Sequence, residues 1–377
     1  MKLVKRAILR AIRAAGYMLV PLPLGEPAAL RAGGPAPAVT NPPVPVDRDR
    51  LPTGTAVATE DRFAEVEALL RRISPWSGDV PTGYTVDFLG ILTDGSFLWH
   101  KAGPFGGRHE TTSLPTVATY GEAWFEVASW LLSARDARDR YVAISLGAAF
   151  GAQLVGAWKA LHAINPLPAR LVAVEPVPEQ CRWMRSLMTT NGIDPHDHWI
   201  IQAAVGTDNE PVLFPVGAPG SGLNESVVTN SAQSRQAYAD LVRRGGHAER
   251  VLDNILLHNS TGITSDLGRG YSGEVKFVSA VTLRDVLAPF DRVDLLEADL
   301  QHAEADVIPP FMDHLDRKVR RVHIGTHGRE AHDLLRARFA RAGWEIVFDY
   351  GPNARHQTAR GPMDLGDGIL AARNPRV

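Results

Sequence analysis

The sequence predicts an α/β protein built on a doubly wound, mostly parallel sheet whose last strand is antiparallel. First, strands rich in Val, Ile and Leu alternate with helices of about ten or more residues after residue 136, which is typical of parallel strands covered on both faces. Second, a turn containing Gly147 and Gly151 follows the first of these strands. Third, the last two strands follow each other with no helix between them, so we expect antiparallel neighbours.

The composition is that of an ordinary globular protein and excludes several classes. The chain has 377 residues, 45% of them hydrophobic, and a net charge of −2, so nothing in the total charge indicates nucleic-acid binding. The single cysteine, Cys181, excludes an internal disulfide and a cysteine-based zinc site. No run reaches the roughly 18 apolar residues of a membrane span. We expect a cytoplasmic protein, with the inner membrane surface as an alternative because of its N-terminus.

Residues 1–20 are predicted to form a basic amphipathic helix, because apolar residues recur there at helical spacing with basic residues between them. Such a helix can dock on its own domain, make peripheral contact with an anionic membrane surface, or belong to a signal peptide, although Pro21 and Pro23 interrupt the apolar stretch. Residues 21–57 are rich in proline as far as Pro52 and are predicted to be an extended linker.

Residues 58–135 are predicted to form an N-terminal extension of two helices around a hairpin. The first helix is expected to begin near Thr59, which would cap it. One face of this helix is apolar, with Phe63, Val66, Leu70 and Ile73. The hairpin lies in "YTVDFLGILTDGSFLW" and is expected to turn at Asp94-Gly95. The second helix carries large apolar side chains, at Trp124, Phe125, Ala128, Leu131 and Leu132.

Residues 136–377 are predicted to form the sheet domain. Its strands are expected at 141–146, 170–175, 198–205, 293–299, 319–325, 344–350 and 368–373. Its helices are expected at 150–163, 177–190, 303–315 and 329–342. Residues 207–275 interrupt the alternation with a segment rich in Gly, Ser and Asn, in which one helix is expected near 232–244. We interpret this long insertion as a cover over the active site.

The turn after the first strand, in "YVAISLGAAFGAQ", has the character of a cofactor site. In a doubly wound sheet, ligands bind beyond the carboxyl ends of the strands, and the two glycines allow a tight turn there. The second strand, "LVAVEP", ends in Glu175, which is either an exposed acid or an acceptor for both hydroxyls of a ribose. Ala149 and Phe150 stand where a dinucleotide fingerprint needs glycine, so the turn favours a cofactor without phosphates, such as S-adenosylmethionine.

An ordered set of further motifs resembles the FkbM family of S-adenosylmethionine-dependent methyltransferases. "ISLGAAFG" resembles its first motif, "VEP" with the later "NGI" its second, and "IIQAAVG" its third. "VDLLEADLQHAEADVI" resembles the family signature D-L-L-K-x-D-x-x-G-x-E. "VRRVHIGTH", "AGWEIVFDY" and "DGILAARNPR" resemble the tail of one branch of the family. The resemblance runs through residues 120–377.

The resemblance implies a Rossmann-like sheet of the class I methyltransferase type with S-adenosylmethionine as its cofactor. The cofactor-binding positions it implies are Ser145, Gly147, Ala149, Gly151, Glu175, Pro176 and Ala203. It also implies O-methylation of a hydroxyl or carboxylate on a glycan or secondary metabolite. The expected partner is therefore a small-molecule or glycan acceptor and not a nucleic acid, and the sequence does not indicate an oligomeric state.

Three positions depart from the family pattern. Ser145 stands where the first motif usually has an acid, Glu297 replaces the signature lysine, and His302 replaces its glycine, whereas Asp299 and Glu304 match. The serine can still hydrogen-bond the ammonium group of the ligand, but the charge complementarity is weaker. These departures leave open a non-catalytic binding protein that kept the fold. The missing glycine fingerprint argues against a further alternative, an NAD-dependent oxidoreductase.

Asp299, His302 and His327 are predicted to be the catalytic residues. Asp299 closes the fourth strand, where it is expected to orient the acceptor, to cap the next helix, or both. His302 is either a surface residue or the base that takes a hydroxyl proton as methyl transfer proceeds. His327, at the exit of the fifth strand, is expected to bind substrate or to replace His302 as the base. Glu304 is interpreted as shaping the helix start. Asp299 and His327 alone make an incomplete metal site, so no metal is predicted.

Overall fold

The structure is a computed structural model, and the described residues are 56–98, 106–216, 274–301, 303–358 and 360–377. Some sequence predictions lie outside them: the basic helix at 1–20, the linker up to residue 55, the helix near 232–244, and His302. None of the helices within the described ranges is long and apolar enough to cross a membrane.

The helices and strands have the following bounds. The strands are β1 (Ser77–Val80), β2 (Tyr84–Val86), β3 (Leu92–Asp94), β4 (Arg108–Thr111), β5 (Tyr141–Leu146), β6 (Ala169–Val174), β7 (Trp199–Ile201), β8 (Ala204–Gly206), β9 (Val212–Val216), β10 (Glu274–Val278), β11 (Ala280–Thr282), β12 (Leu295–Ala298), β13 (Arg321–Thr326), β14 (Glu345–Tyr350), β15 (Ala354–Thr358), β16 (Gly361–Leu365) and β17 (Gly368–Arg373). The α-helices are α1 (Ala56–Leu70), α2 (Val117–Tyr120), α3 (Glu122–Asp136), α4 (Ala152–Ile164), α5 (Pro178–Thr190), α6 (Leu283–Leu287), α7 (Glu304–Val307), α8 (Met312–Lys318) and α9 (Arg329–Arg341).

A seven-stranded sheet forms the centre of the fold, in the order β14-β17-β13-β12-β5-β6-β7. Its neighbouring strands run parallel, except that β17 is antiparallel to both β13 and β14. The prediction of a doubly wound, mostly parallel sheet with an antiparallel last strand is confirmed. From β5 the chain builds outward in one direction through β6 and β7, and then in the other through β12 and β13. The order therefore reverses between β5 and β12, where such sheets bind ligands.

Both faces of the sheet are buried. Alternate side chains of β5 point to opposite faces, so Ala143 packs in one hydrophobic cluster while Val142 and Ile144 pack in another. The first cluster includes apolar residues of α1, α3, α4 and α5, and the second includes those of α6 to α9. The Val-, Ile- and Leu-rich strands arise from this burial on two sides, because such a strand has no solvent face to fill with polar residues.

Helix α1 packs against α3 and the sheet through the apolar face that the sequence predicts. Phe63 is 1% exposed and stacks on Trp124 of α3, with ring centroids 5.1 Å apart. The same ring lies 5.9 Å from Phe348 of β14. The helix begins at Ala56, so the prediction of a start and cap at Thr59 is wrong, and residues 56 and 57, which were predicted to belong to the linker, are helical. Alanine favours helix strongly, which extends α1 by a turn before Thr59.

The predicted hairpin turn at Asp94-Gly95 is wrong. Strands β2 and β3 pair across a turn at residues 87–91, in which the Asp87 side chain accepts hydrogen bonds from the amides of Leu89 and Ile91. Asp94 instead accepts from the amide of Ser96 and caps a short 3₁₀ helix. Both aspartates close local turns by accepting hydrogen bonds from backbone amides that follow them. Because β2 pairs with β3, the turn at Asp87 is the one that forms the hairpin.

Two other elements are interrupted. The predicted strand 198–205 is divided into β7, which joins the central sheet, and β8, which leaves it and pairs with β11. The predicted helix 303–315 is divided into α7, a 3₁₀ turn at Pro309–Phe311, and α8. Proline has no amide hydrogen to donate, and two prolines in sequence end the regular α-helical pattern.

Candidate active site

The predicted site residues that the structure describes lie at one edge of the central sheet. Gly147 follows β5, Glu175 and Pro176 follow β6, Ala203 lies two residues beyond β7, Asp299 follows β12, and His327 follows β13. Ser145 is the penultimate residue of β5. Because these strands are parallel, their carboxyl ends meet at the same edge, and residues up to 182 positions apart in the chain become neighbours.

The turn at 147–151 needs its glycines for two different reasons. Gly147 has φ +75°, and a Cβ there would lie 2.0 Å from the carbonyl oxygen of Asp299. Gly151 has φ +87° and precedes α4, where a Cβ would lie 2.5 Å from Cγ of Met184 in α5. Ala149 between them also has positive φ, at 45°. The turn is therefore pressed between the exit of β12 and helix α5.

Glu175 fixes the shape of this turn. One carboxylate oxygen accepts a hydrogen bond from the amide of Ala149 over 2.9 Å, and the other accepts from the amide of Val177 over 2.8 Å. The side chain is buried, which raises its pKa to about 7, while the two amide bonds act in the opposite direction. Glu175 thus has a structural role that the sequence did not reveal, whether or not it also contacts a ribose.

Ser145 and Glu297 are paired across adjacent strands. They are register partners in β5 and β12, and the serine hydroxyl donates to a carboxylate oxygen of Glu297. Both residues are buried, and burial raises the pKa of Glu297 well above its ordinary value. The next strand contributes His323, which is bonded to Ser129 of α3 over 2.9 Å and has its pKa lowered by burial to about 4. A buried polar row therefore crosses the middle of the sheet.

Glu126 adds another carboxylate to this region from helix α3. Burial raises its pKa to about 7, and the charges of Asp299 and Glu122 raise it further, while a hydrogen bond to Gln153 opposes the shift. Glu126 also raises the pKa of Glu297. These acids destabilise one another's ionised forms, so the region favours a positively charged ligand group.

Asp299, Glu304 and His327 form a compact cluster at the exits of β12 and β13. Nδ1 of His327 donates to Oε1 of Glu304 over 2.9 Å, and its Nε2 lies 3.3 Å from Oδ1 of Asp299 and 3.7 Å from Oδ2 of Asp367. Glu304 is fully buried and also accepts from the amide of Leu300 over 2.8 Å. Asp299 is nearly half exposed, so it is the member of the cluster that faces solvent.

Charge sets the protonation of this cluster. Burial lowers the pKa of His327, but the hydrogen bond to Glu304 and the charges of Asp299 and Asp367 outweigh burial and raise it to about 9. The crowded protein surroundings raise the pKa of Asp299 to about 6 although its side chain reaches solvent, and the charge of His327 opposes that shift. With no other cation at the cluster, His327 is protonated and Asp299 is mostly ionised at neutral pH.

Comparison with known proteins identifies the family. The model of the methyltransferase FkbM domain matches residues 148–345, more than half of the 377 residues. The chain belongs to the FkbM methyltransferase family. A protein of Jannaschia sp. (strain CCS1) named "Putative methyltransferase" is 23% identical over 312 residues, which are 82% of this chain and 98% of that protein.

Solved methyltransferases resemble this FkbM-family chain only at low identity. Methyltransferase FkbM from Methylobacillus flagellatus KT matches 63% of this chain and 45% of its own at 11% identity, with a TM-score of 0.34. Precorrin-6y C5,15-methyltransferase from Geobacter metallireducens GS-15 matches 65% and 86% at 10% identity, with a TM-score of 0.32. The match to the family domain over residues 148–345 shows the family. The order and direction of the strands in the seven-stranded sheet show the fold.

Two acids of the FkbM-family site were not predicted to take part in it. Glu126 is the single charged residue in the mostly apolar stretch 123–132, and that isolation was the available signal. Glu304 was interpreted as shaping the start of a helix, and it does begin α7, but its carboxylate also reaches His327. Asp299 does not cap that helix as expected, because Ala303 occupies the cap position and Asp299 accepts from the Gln301 side chain instead.

Proposed function

We propose that the protein is an S-adenosylmethionine-dependent O-methyltransferase that modifies a hydroxyl or carboxylate of a glycan or secondary metabolite. The observation that carries the proposal is the set of carboxylates beyond the glycine turn, at Glu126, Glu175, Glu297 and Asp299. S-adenosylmethionine has a cationic sulfonium, a cationic ammonium and no phosphate. The negative carboxylates beside the turn complement these two positive charges. The same carboxylates would repel the negative pyrophosphate of a dinucleotide.

The residues of the edge suit different parts of such a cofactor. The turn at Gly147–Gly151, with Pro176 and Ala203, would hold the adenosine, and each oxygen of Glu175 keeps a second lone pair for a ribose hydroxyl. Burial raises the pKa of Glu297, but an ammonium group beside it would favour the ionised form, so Glu297, bonded to Ser145, would then supply the carboxylate that the first motif lacks. This arrangement keeps an acid at the site while moving it one strand over.

Methyl transfer to an oxygen needs alignment and, for a hydroxyl, the loss of its proton. The bound cofactor would supply a methyl group already activated by its sulfonium, and the residues of this chain would align the acceptor oxygen with that methyl group and take the acceptor's proton. Whether it carries its proton, as it does in the cluster without a bound cation, or contacts a cation, His327 cannot accept the hydroxyl proton near neutral pH, so we propose that it positions Asp299 or the acceptor. The base is then His302, as the sequence suggests, or Asp299, which is mostly ionised at neutral pH.

Calorimetry with S-adenosylmethionine, S-adenosylhomocysteine and NAD tests the proposal. We expect both sulfur ligands to bind and NAD not to bind. Glu175→Ala should weaken binding by about 1.5–3 kcal/mol, because it removes charge-assisted hydrogen bonds and the support of the turn. Glu179→Ala, which changes an acid paired with Arg182 on α5, is the matched control and should bind as the parent does. NAD binding without a response to either sulfur ligand would contradict the proposal.

A second candidate, a non-catalytic binding protein with the same fold, is favoured by one observation, Glu297 in place of the signature lysine. Mass spectrometry of glycans and lipids extracted from cells with and without the gene separates the two functions. An enzyme should account for a methyl group that disappears when the gene is removed. Cofactor binding with no methyl group lost would support the binding protein.

A further inference from the structure

The cluster of Asp299, Glu304 and His327 has the composition and spacing of a metal site. One donor atom from each residue lies within 4.8 Å of the donor atoms of the other two. The three side chains come from the exit of β12, the first residue of α7 and the exit of β13, so the main chain of three separate elements holds them together. Their convergence does not depend on flexible surface side chains, since Glu304 and His327 are buried.

A buried oxygen without a partner is an independent sign that something is bound here. Oε1 of Glu304 accepts from Leu300 and His327, but its Oε2 is buried and has no hydrogen-bond partner among the described residues. A buried carboxylate oxygen in this state is costly, and such atoms are rare in native proteins. A cation beside Asp299 would satisfy this oxygen and reduce the repulsion between the two carboxylates.

We propose that Asp299, Glu304 and His327 bind one divalent transition-metal ion at the edge of the sheet where β12 and β13 end. An ion with bonds of about 2.1 Å holds adjacent ligand atoms about 3 Å apart and opposite ones about 4 Å apart. The distance of 3.3 Å between Nε2 of His327 and Oδ1 of Asp299 already fits adjacent ligand atoms. The donor atoms of all three residues lie within 4.8 Å of one another, so the cluster would need to contract only slightly around an ion. The imidazole favours a transition-metal ion over Mg²⁺ and Ca²⁺, which prefer oxygen ligands throughout, and the two carboxylates suit Mn²⁺ among the transition-metal ions.

Three protein ligands would leave coordination positions for water or for an acceptor oxygen, because the solvent-exposed side of Asp299 is open. Asp367, 3.7 Å from Nε2 of His327, would add a further negative charge beside the ion. The site does not depend on methyl transfer, so it can be tested on the protein without any cofactor. The competing arrangement is a protonated His327 that neutralises the carboxylates with no metal bound.

Calorimetric titration of the chelator-treated, full-length protein with MnCl₂ distinguishes these arrangements. We expect one Mn²⁺ per chain and an affinity reduced at least about tenfold in Asp299→Asn and in Glu304→Gln. Asp364→Asn, which changes an exposed acid of β16 paired with Arg355, is the matched control and should bind as the parent does. Mn²⁺ should also raise the melting temperature of the parent and the control, but not that of Asp299→Asn.

Asp299→Asn is the decisive variant because its side chain is half exposed and should fold, which circular dichroism can verify. Glu304→Gln alters a buried carboxylate that accepts from two donors, so its affinity is compared only after circular dichroism has verified its fold. The proposal is overturned if the folded parent binds no Mn²⁺, as expected for a protonated His327 alone. Equal binding by the parent and Asp299→Asn would overturn it as well.

Discussion

At the residue scale, carboxylates that are removed from water distinguish this protein, and the partly buried Asp87 shows their cost away from the site. Its Oδ1 accepts from the amides of Leu89 and Ile91 over 2.9 and 2.8 Å and closes the turn between β2 and β3. Burial nevertheless raises its pKa to about 6, although these bonds and the charge of Lys159 lower it. The Asp87 carboxylate therefore stabilises the turn through its hydrogen bonds, while its partial burial disfavours its negative charge.

Asp87→Asn should stabilise the protein at neutral pH and have little effect in acid. The folded pKa lies above the unfolded value of about 3.9, so the native state holds an extra proton between about pH 4 and pH 6, and the parent loses stability as pH rises through that window. Asparagine keeps the accepting oxygen without the charge. We expect a gain of about 1–2 kcal/mol at pH 7, less than the full shift implies because Asp87 is partly exposed.

Urea unfolding of both proteins at pH 4 and pH 7 measures this difference. Asp291→Asn, which changes an almost fully exposed acid whose partner, Arg140, keeps its charge at both pH values, is the control and should be close to neutral at pH 4 and at pH 7. A gain that is the same at both pH values would contradict the assignment, because it would not come from the titration of Asp87.

The sequence predicted the positions of single residues well where the strand order decides them. Gly147, Glu175, Asp299 and His327 lie at one edge because each follows a strand, and parallel strands place such residues together. It failed where tertiary packing decides. Glu126 approaches the site only because α3 packs across the sheet, a contact that no local pattern contains.

At the scale of elements, periodicity located the strands of the central sheet and most of its helices. Strands β5 and β17 have the predicted bounds, since their apolar runs end where the chain leaves the core. The hairpin turn was misplaced because the dipeptide Asp-Gly indicates that the chain turns, but it does not indicate which strands pair on either side of the turn. The pairing partner of a strand is a non-local property, as the departure of β8 from the sheet also shows.

The turn between β5 and α4 can be tested with a matched pair of glycine variants. Gly147 and Gly192 have nearly the same φ, +75° and +76°, so alanine should cost each about 1–2 kcal/mol of backbone strain. A Cβ at Gly192 meets nothing within 4 Å, whereas at Gly147 it would lie 2.0 Å from the carbonyl oxygen of Asp299. We expect Gly147→Ala to destabilise the protein by at least about 2 kcal/mol more than Gly192→Ala.

Chemical unfolding of the two variants gives the difference directly. Gly147→Ala should also weaken the binding of S-adenosylmethionine, because the strain moves the turn or Asp299, while Gly192→Ala should leave binding unchanged. Equal losses of stability would mean that the backbone at Asp299 moves away from the new Cβ at no cost in free energy. The close approach of the turn would then not be needed to place Asp299.

At the scale of the whole molecule, the fold is a two-sided sheet that needs both of its hydrophobic layers. Helix α1 and the residues just after it contribute buried side chains to the first layer, at Phe63, Val66, Leu69, Leu70 and Ile73. Burial of each such side chain stabilises a protein by about 1.5–3 kcal/mol. Their total is comparable with the roughly 5–15 kcal/mol that separates a folded domain from its unfolded state. The core therefore includes α1.

This gives two truncations with opposite expected outcomes. A chain that starts at residue 75 lacks α1 and exposes Trp124 and Phe348, which pack against Phe63, so it should not unfold cooperatively. A chain that starts at residue 55 keeps α1 and lacks only the predicted basic helix and proline-rich linker, so it should melt as the full chain does. Thermal unfolding of the three chains side by side checks this.

A melting temperature several degrees lower for the chain from residue 55 would mean that residues 1–20 dock on the protein. If the temperatures agree, sedimentation of both chains with anionic liposomes decides the role of those residues: a membrane-surface helix requires that only the full chain binds.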